Sequence, residues 1–463
     1  MNRSWLIVPV LAMGCVLTGV AGQAPDVALA QKSPVTFNAH VLPVLQKHCQ
    51  GCHRPGEIAP MSFLTYESTR PWARAIKSAV VSKKRPPWFA DPEHGRFSND
   101  RSLTQGEIDT LVRWVDEGAI LGEPATAPAP VTWPEGWQIT PDRVVTAPAY
   151  TIPAKGTIEW GYLVIPSGFT EDTWVSSIEI RPGDRRAVHH VVAFIKPHTQ
   201  DVPYNVIFWD QKKRDERGIA PGQAFQSAER VSSNGESISS ALLGGSLAAV
   251  YVPGVPPQDY RVHRAGKLIP ANSDLVLQVH YQAIGEPVTE VTKIGFTIAK
   301  DVPERRFLTL AYQPPSIQDP KVFRIPAGAA NWASPPVELS VAVDAELVWM
   351  MPHMHARGKD MTYRLMFPDG RKEIALRVPN YNFDWQIGYD VAAPVALPTG
   401  TRIRVDATFD NSPGRRGNPD PTADVFGGTQ TWEEMMNPWF GVIIDRRVDP
   451  GTAILTRAAQ GGG

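Results

Sequence analysis

Three cysteines in 463 residues leave no material for a disulfide framework, so stability must come from packing. An excess of one charge is also absent: 46 Lys and Arg stand against 47 Asp and Glu, a formal net charge of −1. That balance excludes the broad basic footprint of a nucleic-acid-binding protein and any strong charge bias in its partners. Beyond about residue 20 no apolar run is long enough to span a bilayer. No Gly-rich phosphate loop and no alternation of strands with helices is present, which argues against nucleotide cofactors. No internal repeat is visible. What the chain has in excess is turn-forming residues, 44 Pro and 37 Gly. Its hydrophobic content of 43% is enough to bury a core and excludes wholesale disorder. At roughly 100–200 residues per domain the length predicts about two to four domains.

The N-terminus has the layout of a secretory signal. Arg3 precedes an apolar run from Trp5 to about Val20, and Ala28-Leu29-Ala30 offers a small-x-small cleavage site before Gln31. We therefore expect residues 1–30 to be a signal peptide and the mature chain to be periplasmic or secreted, without a membrane span. A retained anchor and a lipid on Cys15 are the alternatives. Ala12, three residues before Cys15, stands where a lipid-attachment signal prefers Leu.

The other two cysteines lie in Cys49-Gln50-Gly51-Cys52-His53. In an exported protein a C-x-x-C-H string reads as an attachment site for one covalent c-type haem. Two thiols a helical turn apart can form thioethers with the vinyl groups, and the adjacent His then reaches the iron. A redox dithiol and half of a zinc site are the alternatives; a zinc site needs a second ligand pair, which His48 and His94 supply only loosely. Pro43 to Lys47 reads as a short helix. Thr104 to Glu117 reads as a longer one, with Thr104 and Glu107 as a capping box. Its apolar face is Ile108, Leu111, Val112 and Val115, with Trp114 on or beside it. Residues 31–122 are thus expected to be a small helical haem domain. The stretch Arg85-Pro86-Pro87-Trp88-Phe89-Ala90-Asp91-Pro92 resembles a segment in cytochrome c domains fused to bacterial copper enzymes. There a Met usually precedes the Pro-Pro-Trp and is the candidate distal ligand; here that position is Arg85. His94 is the favoured sixth ligand, with Met61 or an open site as alternatives.

Residues 123–139, rich in Pro and Ala, read as a stiff linker that permits several arrangements of what it joins. Beyond it, strand-like runs recur: Thr157–Ile165, Thr173–Ile180, His189–Ile195, Leu275–Tyr281, Lys293–Ile298, Val337–Val343, Thr362–Met366 and Arg402–Phe409. Gly, Pro, Asn and Asp separate them, as in antiparallel sandwiches. The stretch Thr199–Asn234 reads as an inserted polar loop. Three histidine clusters sit on the strand-like runs: His189-His190, His280, and His353-Met354-His355. On a strand His353 and His355 point to one face, as two ligands of one metal must. His189 and His190 point to opposite faces of an ideal strand, so they can share a metal only at a bend or a strand end.

Together these clusters resemble the copper type II, ascorbate-dependent monooxygenases, the family of peptidylglycine α-hydroxylating monooxygenase and dopamine β-monooxygenase. The resemblance spans about residues 140–460. It rests on His189-His190, on Gln278-Val279-His280-Tyr281, on His353-Met354-His355-Ala356-Arg357-Gly358-Lys359, and on Gly427-Gly428-Thr429-Gln430-Thr431-Trp432-Glu433-Glu434-Met435-Met436-Asn437. It implies two tandem antiparallel jelly-roll-like β-sandwiches, at 140–302 and 303–463, and so a mostly β chain with a small α domain. It further implies two copper ions, one on His189, His190 and His280 and a catalytic one on His353, His355 and Met435, with Met436 as the adjacent alternative. Imidazole suits copper, and a soft thioether favours Cu(I). The implied activity is hydroxylation of a C–H bond of an unknown small molecule by dioxygen. The electron donor is an ascorbate-like reductant or a redox protein, and here the haem domain supplies or relays electrons.

The resemblance has gaps. No Cys follows Cys52, whereas the animal relatives carry disulfides in these domains. The Arg that helps clamp a peptide carboxylate, two residues before the H-x-H pair, is Met351 here, and the Tyr four residues after the Met ligand is Trp439. A peptide-amidating role is therefore not expected. Trp349, Met350, Met351, Trp439 and Phe440 either line an apolar site or belong to the core. The alternative function is a haem- and copper-binding electron-transfer protein on the same scaffold, without oxygenase activity.

Overall fold

The computed structural model describes residues 33–156, 158, 160–198, 202–209, 229–232, 237–239, 245–428 and 432–456. The expected signal peptide with Cys15, most of the stretch Thr199–Asn234, and Thr429–Thr431 lie outside the described residues. Two compact units are distinguished, Met1–Pro34 and Val35–Gly463; only Ser33 and Pro34 of the first are described. The second unit is mostly β, with several sheets and a small helical N-terminal part. Among the described residues no helix is long and apolar enough to cross a membrane.

The helical part is built from short amphipathic pieces. Leu42–His48 carries Pro43 in its first turn, where no backbone donor is lost. Gln105–Asp116 begins at the capping box read from the sequence: the Thr104 hydroxyl accepts from Glu107 N–H, and the Glu107 carboxylate accepts from Thr104 N–H at 2.8 Å. Ile108, Leu111 and Trp114 are its buried residues. Trp114, expected on or beside the face, is its centre, because its indole N–H finds the Ile120 carbonyl at 3.0 Å and can be buried without loss. Val112 and Val115 only flank the core. Ala73, Ile76 and Val80 of the helix Ala73–Val81 close the cluster. The two ends of this part are tied together by Phe37 N–H to Ile120 O at 2.8 Å and Asn38 N–H to Leu121 O at 3.0 Å.

The β part contains a seven-stranded, a nine-stranded and a six-stranded sheet. The expected strands appear at Gly161–Pro166, Thr173–Arg181, Val188–Pro197, Ser273–Tyr281, Lys293–Ile298, Val337–Val341, Gly358–Met366 and Arg402–Phe409. The nine-stranded sheet runs through both halves of the chain. Ala265 and Gly266 of the first half pair in parallel with Arg305 and Arg306 of the second, across the sequence boundary at 302/303. The strand Ala345–His353 then pairs with Asn437–Asp445 and Tyr389–Leu397.

Both faces of this central sheet are covered. Trp349, Met351 and Trp439 pack into the first core, while Met350 and Phe440 pack into the second. A strand buried on both sides reads as an unbroken apolar run, which is why Leu347–Pro352 shows no alternation. All five residues left open by the sequence are core.

The Pro/Ala-rich stretch does not leave the helical part free. Asp91 N–H donates to Arg377 O at 2.8 Å, Ser98 N–H to Asp390 O at 2.8 Å, and Phe97 forms a bridge with Val391. Arg101 donates to the Gly254 carbonyl at 2.8 Å. The helical part is therefore pinned to both halves of the β part.

Gly441 sits mid-sheet, where a Cβ would come within 2.7 Å of Trp349 Cβ and 2.9 Å of the Phe307 ring. Gly441→Ala is expected to destabilise the chain by about 1–3 kcal/mol through overpacking, read as a lower urea midpoint.

Candidate metal centre

His190 and His280 face one another directly across the strand pair Val188–Pro197 and Ser273–Tyr281. The register then slips: Tyr281 pairs with Val188, so His189 is the extra residue of a β-bulge. A bulge re-aims a side chain that an ideal strand would turn away. This is the bend that adjacent histidines need to share a ligand. The ligand atoms of His189, His190 and His280 all lie within 4.8 Å of one another. His189 Nδ1 and His190 Nδ1 are 3.0 Å apart. Two ring nitrogens at that distance share a proton or share a cation, and ligands each about 2 Å from one ion stand about that far apart.

The surroundings favour the neutral, metal-binding form of the rings. Trp160 stacks on His280 at 5.1 Å and lies 4.3 Å from His190. Burial pushes His280 down to about 4, and it pushes His190 well below the usual imidazole range, with His280, His189 and His353 adding to the effect. His190 Nε2 and His280 Nδ1 are buried without a hydrogen-bond partner. Orphaned buried nitrogens of this kind are costly unless something fills the site. The donor set and its geometry fit a borderline metal such as copper.

The second cluster is built differently. His353 ends its strand opposite Asn437, and His355 lies two residues on, in the turn. Their ring centroids are 5.3 Å apart at 85°. His353 Nδ1 meets Gln386 Oε1 at 2.7 Å, and His355 Nδ1 meets the Glu433 carbonyl at 2.9 Å. Hydrogen bonds at Nδ1 orient the rings so that a metal held by this pair is met by Nε2. Between them the Met354 peptide is clamped by Tyr381, whose hydroxyl donates to Met354 O at 2.7 Å. The buried Glu434 carboxylate accepts from His355 N–H at 2.8 Å and Arg357 N–H at 2.7 Å. Burial drives Glu434 up to about 7 against the pull of those N–H groups and of Arg357. Met435 follows directly and is half-buried, two residues before Asn437. Gln386 Nε2, Asn437 Oδ1 and Trp432 Nε1 around this cluster are buried without partners. Two imidazoles fit a metal site, and Met435 is the chain neighbour of Glu434, which holds the turn from His355 to Arg357.

Cys49 and Cys52 are free thiols on one helical turn, with His53 N–H donating to Cys49 O at 2.9 Å. The His53 Nδ1 edge faces the Met61 carbonyl at 3.2 Å, which fixes the ring for an axial role through Nε2. Cys49 packs on the apolar helical cluster and His53 stacks on Phe63 of that cluster at 4.2 Å; two thiols and an imidazole are the donor set that fits a tethered haem. His48 is held by Glu107 at 3.0 Å. Among the described residues the three-histidine cluster is the one group of His, Cys, Asp and Glu that could hold a metal, so no zinc-like set surrounds the cysteines. His94 is not brought to them. It lines a cleft on the C-terminal sandwich with Asn331, Lys359, Asp360 and Arg377, because its segment is bound to strand Lys372–Val378 through Asp91.

One segment was missed in the sequence. Tyr381-Asn382-Phe383-Asp384-Trp385-Gln386 touches both histidine clusters. Tyr381 and Gln386 hold the H-x-H pair, Phe383 lies 5.8 Å from His355 and 6.0 Å from Trp160, and Trp385 lies 5.9 Å from His189. The available signal was an aromatic-rich loop, since loops rather than strands carry most site residues.

No protein-family model matches the chain, and no curated protein matches it. Similar solved structures include one of infectious bursal disease virus, Gx strain, at 9% identity over 71% of this chain and 78% of that one, with a TM-score of 0.15. PNGF-II matches at 10% identity over 65% of this chain and 60% of its own, with a TM-score of 0.20. The Sputnik virophage structure matches at 9% over 79% and 96%, with a TM-score of 0.17. Likeness at this level carries no argument about function.

Titrating metal-free chain with Cu(II) is expected to fill the three-histidine site. His280→Ala should weaken that binding about 100-fold or more, while His353→Ala should leave it intact, as followed by calorimetry. Acid should destabilise the metal-free chain. The unfolded chain takes up imidazole protons near pH 6.5, whereas His280 in the fold resists until about 4. Stability present above pH 6.5 is thus lost as the pH falls through that window. Urea midpoints should drop there, and less steeply in His280→Gln.

Proposed function

We propose that the chain is an exported copper-dependent monooxygenase that hydroxylates a C–H bond with dioxygen, with a c-type haem on its helical part as electron donor. In this reading the two sandwiches are the jelly-roll-like domains of the copper type II monooxygenases. His189, His190 and His280 hold one copper; His353, His355 and Met435 hold the other. Cys49 and Cys52 tether the haem, and His53 is its proximal ligand. The observation that carries the reading is the three-histidine cluster, assembled by a β-bulge from residues 90 positions apart in the chain, with a differently built H-x-H pair beside it.

The coppers supply electron storage at the first site and oxygen activation at the second. The chain's own residues hold the geometry. Gln386 and the Glu433 carbonyl fix the ring planes of His353 and His355. Glu434 and Arg357 stitch the H-x-H turn to the segment bearing Met435, and Arg357 is itself satisfied by Asn411 at 2.8 Å. Apolar packing by Trp160 and Phe383 limits water between the sites. Met351, at the position where the peptide-hydroxylating relatives carry an Arg, is packed in the core. The substrate class is accordingly one without a terminal carboxylate at that position.

Haem-loaded protein exported to the periplasm and reconstituted with copper should retain about two coppers per haem after dialysis, as the two ligand sets require. Changing His353 together with Met435 to Ala should remove one. Haem with no retained copper would sink the reading and leave an electron-transfer protein on this scaffold.

A further inference from the structure

A cavity of about 210 Å³ lies where the C-x-x-C-H turn, the Pro/Ala-rich stretch and the first half of the β part meet. Gly51 and Arg54 of the turn line it. On a helical turn Cys49, Cys52 and His53 share one face, while Gly51 and Arg54 lie on the other. The cavity is therefore distinct from the face that presents the two thiols and the imidazole. Its charge is unbalanced. The buried Glu57 Oε1 accepts from Arg54 at 2.7 Å and from Arg185 at 2.8 Å, one anion for two cations. Glu179, on the same wall, turns its Oε2 to the Gln138 and Ile139 N–H groups at 2.7 and 3.0 Å. Arg181, two residues further on, adds a third cation. The unused polar groups are all of one kind. Trp133 Nε1, Tyr251 Oη and Arg181 Nη1 are buried without a partner among the described residues. Trp133 and Tyr251 line the cavity, and Arg181 follows Ile180, which does too. Each of the three carries a proton to donate, and burial pushes the Tyr251 hydroxyl up, which keeps its proton on. Buried donors of this kind are costly until an acceptor joins them. Another part of the wall is apolar, formed by Pro134, Val255, Pro256 and Pro257.

We propose that this cavity binds a small organic monocarboxylate, whose oxygens take the unpaired donors and whose apolar body lies on the prolines. The site does not depend on which group the cysteines carry. Its volume is below the roughly 300–1,000 Å³ of a drug-sized site, so the ligand is a small one. A neutral ligand would leave the surplus positive charge unanswered. An inorganic oxyanion would answer the charge and leave the proline wall unused.

The test uses the full exported chain and benzoate as the probe, followed by calorimetry, with benzamide and inorganic phosphate as controls. Benzoate is expected to bind with a Kd of about 1 mM or tighter. Benzamide, which has its shape without its charge, should bind about tenfold more weakly. Tyr251→Phe and Trp133→Phe each remove one donor and keep a ring, and each should weaken benzoate about five- to tenfold. Ligand-free Tyr251→Phe should melt no lower than the unaltered chain, because the hydroxyl it loses has no partner to lose. Weakened binding in that variant is then a loss at the site rather than a loss of fold. Absence of saturable benzoate binding leaves the cavity to water and overturns the proposal. Binding that both variants leave unchanged places benzoate elsewhere and overturns it too. Benzamide or phosphate bound as tightly as benzoate overturns the carboxylate class.

Discussion

Two imidazole nitrogens held 3.0 Å apart, those of His189 and His190, set the terms for much of this structure. Neutral rings accept that contact only through a shared proton or a shared cation, and burial removes the option of charging either ring. The contact exists because the ladder with Ser273–Tyr281 slips by one residue at His189. That slip can be tolerated only if the strands on either side are rigid. They are: Val191, Val279 and Tyr281 are buried, and Trp160 closes the open side. The bulge, the stacked indole and the orphaned ring nitrogens are three consequences of one constraint.

The second cluster depends on the first half of the chain more than its sequence distance implies. A single nine-stranded sheet runs through both halves of the β part, so the H-x-H strand and the strand Thr173–Arg181 belong to one continuous sheet. Sheets buried on both faces deform little, because side chains on either side are packed to interior density. The loop Tyr381–Gln386 lies outside the sheets and contacts His353, His355, His189 and Arg85. Rigid sheets place the imidazoles, and one aromatic loop connects them.

The strands on either side of that loop hold the helical part. Its segment Trp88–Asp100 is bound to the C-terminal sandwich by backbone hydrogen bonds and by Trp88 and Phe97 packed on Tyr389. This docking carries His94 away from Cys49 and Cys52 and leaves Arg85 over the Trp385 ring. His94 lies within the docked stretch and Arg85 just before it.

Much of this was legible in the sequence, where local rules apply. The capping box at Thr104, the strand runs with their turn residues, the C-x-x-C-H turn and the three histidine clusters all depend on neighbours a few residues apart. The need for a bend at His189-His190 followed from strand alternation alone. Other features depended on partners the linear order does not reveal. The bulge requires the strand that carries His280. The burial of Met351 and Trp439 requires a sheet covered on both faces. The placement of His94 is set by docking on a strand nearly 300 residues away, and Trp385 meets His189 only in the fold. Short-range hydrogen bonding and side-chain periodicity are properties of the chain. Which rings meet is decided by the packing of two sandwiches and a helical part around a shared sheet.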